Sequence, residues 1–200
     1  MRCFQPAIFA VMLLFISTAV ADDSEKARMA FQSGDYETAL AIWQPLAEGG
    51  HADSQFGLGQ LYGNGFGVSM DDALAIKWYS LAAGQGHAQA QFNLAVMHQN
   101  GWGLPQSDTE AMKLYALAAE QGISAAMVAL GRYYSMDFLD SYDPVLAHKW
   151  LKLAYLLHDT DAGPKLDAIE GKMSAEQIAA SESEVAAWSR QHESLLAKQD

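Results

Sequence analysis

Apolar and small residues return every three or four positions through most of the chain. In 52–62 Gln55, Phe56, Gly59 and Tyr62 keep this spacing, and in 72–84 Leu74, Trp78, Leu81 and Ala82 do. That spacing predicts two helices, A and B, each with one inward face. The stretch 63–71 between them, "GNGFGVSMD", is rich in glycine and reads as a connection.

The A–connection–B unit recurs with a period of 36 residues. Segments 52–87 and 88–123 align without a gap: Ala52 meets Ala88, Phe56 meets Phe92, Leu58 meets Leu94, and Tyr79 meets Tyr115. A further step reaches 124–159, where Leu130, Gly131, Tyr134, Ala147, Trp150 and Ala154 keep the pattern. Upstream, Ala39, Trp43 and Ala47 extend it into a partial unit, 24–51. Asp35, Asp71, Ser107 and Asp143 stand at the same phase, each where helix B begins, and all are favoured N-caps. Ser107 with Glu110 has the form of a capping box, and Pro144 suits a first helical position. Small residues at Gly59, Ala82, Ala83, Ala95, Ala118, Ala119 and Gly131 allow close helix approach, with aromatic side chains filling the remaining space.

Gly63, Gly65 and Gly67 invite a comparison with phosphate-binding loops. Asp71, the cap of the following helix, puts negative charge where a phosphate would sit, and no Lys-Ser or Lys-Thr follows. Gly65-Phe66-Gly67 and Gly101-Trp102-Gly103 are better read as turns with positive φ, each aromatic plugging its hairpin.

These residues resemble the Sel-one-like repeat family of tetratricopeptide-like solenoids. The resemblance rests on A-x-x-x-F-x-L-G/A in helix A, G-x-G-V/L in the connection, the Asp or Ser cap, and W/L-Y-x-x-A-A-x-x-G in helix B. It implies an all-α, right-handed α/α superhelix whose A helices line a concave side. It also implies a scaffold for protein partners with no catalytic residues and no cofactor. The fourth unit departs from the pattern, with "SMDFLDSYD" (135–143) in place of the glycines, so a different turn is expected there. A cysteine-rich branch of the family has β-lactam-related activity. The absence of Ser-x-x-Lys, and of any cysteine beyond Cys3, separates this chain from it.

The chain ends differ from the repeats. Residues 1–21 have Arg2, the apolar run Ala7–Ala19 and small residues at Ala19 and Ala21, the form of a cleaved signal peptide. Its length is also close to that of a membrane anchor. Cleavage would leave an exported protein, periplasmic or secreted, without disulfide or thiolate chemistry. Net charge is −12 over 200 residues, a surface that repels nucleic acid and anionic lipid. At the other end, Gly163-Pro164 is expected to break the chain before a short helix, 165–170. Ser174 and Gln177 open an amphipathic capping helix with Ile178, Val185 and Trp188 inward. The polar last ten or so residues are expected to fray. The organisation expected is thus a signal peptide (1–21), four hairpins (22–159) and C-terminal capping helices (160–200).

Candidate chemistry is sparse. None of the six histidines forms an i, i+4 metal pair, and no Gly-x-Ser-x-Gly nucleophile elbow occurs. Paired carboxylates across a cleft are not legible in one sequence, which leaves a cell-wall-related hydrolase or peptidoglycan-fragment binding protein as the alternative function. For the scaffold reading, tetratricopeptide-like geometry places Asp53, Gln60 and Gly63, then Gln89, Val96 and Gln99, then Ala125, Arg132 and Ser135 on the groove. The partner expected is a protein or peptide bound by a monomer, with amides satisfying its backbone and Arg132 pairing a carboxylate.

Overall fold

The computed structural model describes residues 23–197, all α-helix and connections, with no strand among them. The expected signal segment lies outside the described residues. Helix α1 covers 23–32. It is followed by α2 (Tyr36–Glu48), α3 (Ala52–Asn64), α4 (Asp72–Gly84), α5 (Ala88–Asn100) and α6 (Asp108–Glu120). Then come α7 (Ser124–Tyr134), α8 (Pro144–Leu156), α9 (Ala162–Glu170), α10 (Ala175–Gln191) and α11 (Glu193–Leu196). The B helices α2, α4, α6 and α8 therefore begin 36 residues apart, as the period requires.

All four predicted caps accept a backbone N–H: Asp35 from Thr38, Asp71 from Leu74, Ser107 from Glu110, and Asp143 from Val145 and Leu146. The box at Ser107 is only half formed, because the Glu110 carboxylate accepts from Lys113 Nζ at 2.8 Å instead of reaching back. The box at Ser174 and Gln177 is complete.

The turn glycines Gly65, Gly67, Gly101 and Gly103 all have positive φ, between 65° and 71°. Each connection closes on one backbone bond at the same phase: Asp71 N–H to Tyr62 O, Ser107 N–H to His98 O, and Asp143 N–H to Tyr134 O, at 2.9, 3.0 and 2.9 Å. The fourth connection does take a different turn, with no positive φ between 135 and 143. It nevertheless ends on the same bond, so the start of α8 stays in register.

The chain forms two compact units, divided within α5 after Ala90. The core of the first unit joins Ala27, Ala39, Trp43, Ala47, Leu58, Leu61 and Trp78. Small residues set its spacing: a Cβ on Gly59 would lie 2.4 Å from the Tyr79 ring, and one on Gly57 would lie 2.6 Å from Trp43. Phe66, expected to plug its own hairpin, stacks on Tyr36 of α2 in the preceding one, with centroids 4.9 Å apart. Leu81 was expected inward but is 45% exposed, because the inward face of α4 runs through Ala75, Trp78, Tyr79 and Ala82 and turns Leu81 aside.

In the second unit, Tyr115, Met127, Leu130, Trp150 and Leu153 form a core that Val185 and Trp188 of α10 cover. Trp188 Nε1 donates to Glu120 Oε2 at 2.8 Å, so the capping helix is held by a polar bond as well as by burial. Trp102 does not plug its hairpin and is 57% exposed. Phe66 has Tyr36 to stack on, whereas the residue one period after Tyr36 is Asp72, which has no ring. Gly163-Pro164 does not break the chain either. Both lie in the first turn of α9, where proline's missing N–H costs nothing. Residues 193–196 form α11, and Leu195 and Leu196 pack on the core, holding a segment that polar composition alone would leave frayed.

Candidate functional site

A cleft of about 510 Å³ opens in the first unit. Asp53, Phe56 and Gln60 of α3 line it because intervals of three and four residues keep them on one helical face. Glu25, Arg28, Phe31 and Gln32 of α1 line it by the same logic, together with Trp43 of α2. Part of the lining is aromatic: Phe31 lies 5.5 Å from Trp43, centroid to centroid, and Phe56 joins them.

Two histidines one period apart, His51 and His87, stand at the rim and are helix N-caps. His51 Nδ1 accepts the Ser54 N–H at 3.3 Å, and His87 Nδ1 accepts the Ala90 N–H at 3.2 Å. The His87 ring stacks on Phe56 at 4.6 Å, and its Nε2 lies 3.4 Å from Asp53 Oδ1. Burial pushes the His87 pKa below its ordinary value, with the Asp53 carboxylate opposing in part. On α1, Arg28 holds both carboxylate oxygens of Glu25, which keeps that acid below its usual range. Glu25 and Arg28 are thus paired with each other, while Asp53 keeps its charge beside a neutral imidazole, and amides and rings complete the lining. A partly aromatic lining with a polar rim suits a peptide segment or another amphipathic group.

Two serine–histidine contacts exist among the described residues, and neither resembles a working nucleophile. Ser54 Oγ lies 2.9 Å from His51 Nδ1, and Ser181 Oγ lies 2.8 Å from His148 Nδ1, whose Nε2 is 3.0 Å from Glu170 Oε1. Both serines are 0% exposed, so a substrate atom has no approach to either hydroxyl in this conformation. Among the described residues no group of three His, Cys, Asp or Glu could hold a metal ion.

The groove residues expected from the repeat do not all come together. Asp53 and Gln60 line the cleft of the first unit. Arg132 and Ser135 line a smaller cavity in the second. Gln89 is exposed on α5, and Val96 is half-buried against the second core. Gln99 has a structural task, its Oε1 accepting the Tyr115 hydroxyl, whose pKa burial pushes up to about 12. Ser135 Oγ donates to the Arg132 carbonyl at 2.8 Å and so closes α7. Sequence reasoning passed over Arg28, Phe31 and Gln32. Their signal was the spacing of three and four residues along 25–32, which repeats that of Asp53, Phe56 and Gln60.

The model of the Sel1 repeat family matches residues 52–87, 88–123 and 124–159, more than half of the chain. A Sel1 repeat protein from Oxalobacter formigenes is similar in structure, with a TM-score of 0.60 and 32% identity, over 64% of this chain and 97% of that one. A protective antigen of uropathogenic Escherichia coli strains, displaying an SLR fold, aligns over 90% of this chain with a TM-score of 0.55 and 24% identity. This chain spans 47% of that antigen's length, and the likeness there is one of fold. No curated protein matches the sequence. The period, the caps, the turn glycines and these matches make the chain a member of the Sel1 repeat family, whose repeats typically serve as scaffolds for protein–protein contact.

Proposed function

We propose that this protein is an exported, non-catalytic adaptor of the cell envelope that seats a segment of a protein partner in the cleft between α1 and α3. The observation that carries this reading is the cleft itself. Aromatic side chains line it, Gln32 and Gln60 have no side-chain hydrogen bond among the described residues, and Glu25 already pairs with Arg28. Such a surface gains from burying an apolar anchor and from satisfying a peptide backbone, without any bond being broken. Export is supported by residues 1–21, whose apolar run ends in Ala-Val-Ala before Asp22-Asp23. No helix among the described residues is long and apolar enough to cross a membrane.

Site-specific photo-cross-linking in the native envelope tests both parts. A photoreactive residue at position 32 or 60 should trap one discrete protein adduct, in a mature form beginning at Asp22. The same group at exposed position 109 should trap none. Equal adducts from all three positions, or a chain retaining residues 1–21 in the cytoplasm, would overturn the reading.

A further inference from the structure

The second unit holds a small cavity whose character contrasts with the chain as a whole. Of only 12 basic side chains in a protein of net charge −12, three converge on it: Arg132 at the end of α7, Lys165 on α9 and Lys172 just beyond α9. Lys165, Ala168 and Ile169 share one face of α9, and Lys172 follows just past its end. Leu151 of α8 completes an apolar wall beside the cations. Among the described residues no carboxylate forms an ion pair with any of the three. Lys165 Nζ donates to the Asp161 carbonyl at 2.9 Å, which fixes its stem and leaves its other protons available.

Three like charges around one cavity repel each other, and a negative ligand relieves that repulsion. The helix ends oppose this charge in part, since Arg132 and Lys172 each stand beside the negative pole of a helix C-terminus. At α7 that pole is already quenched, because Ser135 gives both its N–H and its hydroxyl to the last carbonyls. The guanidinium has no carboxylate partner among the described residues, and its planar fork matches a two-oxygen acceptor better than an ammonium does. The cavity is about 170 Å³. That is the liquid volume of about five or six waters, enough for one carboxylate and a short aliphatic group.

The geometry points to a carboxylate-recognition site at Arg132, Lys165 and Lys172 that takes the C-terminal carboxylate of a chain ending in an aliphatic residue, with that side chain against Leu151 and Ile169. The inference deepens the adaptor reading by naming the chemistry of one contact, and rests on it only in taking the ligand to be protein.

Backbone amide NMR of the full mature chain tests it, with N-acetyl-leucine, N-acetyl-leucinamide and inorganic phosphate as probes. N-acetyl-leucine should shift the amides of 132–135 and 165–172 saturably. The amide and phosphate should bind at least tenfold more weakly, the first lacking the charge and the second the apolar group. Lys165→Ala with Lys172→Ala should weaken N-acetyl-leucine binding by more than tenfold while the melting temperature stays within a few degrees. Gln32→Arg, in the other unit, should leave this binding unchanged, so failure of the cleft and failure of this site are told apart. Equal shifts with the amide, equal affinity for phosphate, or retained binding in the lysine variant would each overturn the assignment.

Discussion

Gly67 shows how a single position serves the turn and the packing together. Its φ is +69°, and a Cβ there would lie 2.7 Å from Tyr36 Cβ, the residue on which Phe66 stacks. Gly67→Val should therefore cost at least the ~1–3 kcal/mol of a strained left-handed residue, read as a shift in the urea midpoint. Nucleotide binding by the wild type would contradict the turn reading. His87 makes a second prediction at this scale. Its Nδ1 can accept the Ala90 N–H only while unprotonated, and burial lowers its pKa in the folded state. The stability it contributes is full above about pH 6.5, the unfolded value, and is lost as pH falls from there through the lowered folded value. Melting temperatures of the wild type and of His87→Asn, which keeps a capping group that does not titrate, should converge or cross on acidification below that pH. Parallel curves would show that the imidazole is not the cap.

Between elements, a pair of amides ties the end of helix B to the start of helix A within a hairpin. Gln55 is buried and donates to the Ala47 carbonyl, while Gln85 Nε2 donates to Gln55 Oε1 at 2.7 Å and to the Gly50 carbonyl at 3.0 Å. One period on, Gln121 Nε2 donates to Gln91 Oε1 at 2.8 Å. A double-mutant cycle with Gln55→Ala and Gln85→Ala should give a coupling of about 0.5–1.5 kcal/mol, the net worth of a part-buried hydrogen bond. Additive losses would mean that the two amides act independently. The same scale shows what was legible in the chain. Caps and turn glycines act through neighbours three or four residues away, so Asp35, Asp71, Ser107 and Asp143 could be read off directly. Trp102 could not, because its burial depends on a side chain supplied by another helix, and Leu81 could not, because the spacing left open which face of α4 turns inward. The bond from Asp143 N–H to the Tyr134 carbonyl was hidden for a different reason, since backbone bonds leave no mark on residue identity.

For the whole molecule, the repeat accounts for the family and the helical hairpins, and the departures from it account for the candidate sites. The first cleft is built where the partial unit adds α1 to the first full repeat. The basic cavity is built where α9, outside the 36-residue pattern, meets the last A helix. Repeat arithmetic placed Asp53, Gln60, Arg132 and Ser135 near these openings but did not separate them from Gln99, which braces Tyr115. Gln99→Ala would accordingly disturb the core and is unsuited as a probe of binding. Binding in the α1–α3 cleft is tested most directly by the affinity of the cross-linked partner for the wild type and for Gln32→Arg with Gln60→Arg. Neither side chain carries a structural hydrogen bond that is described, so the fold should keep its melting temperature while two large cations narrow the cleft. The partner's Kd should rise at least tenfold, as when a central contact is lost. An unchanged Kd in a variant that melts normally would contradict the account.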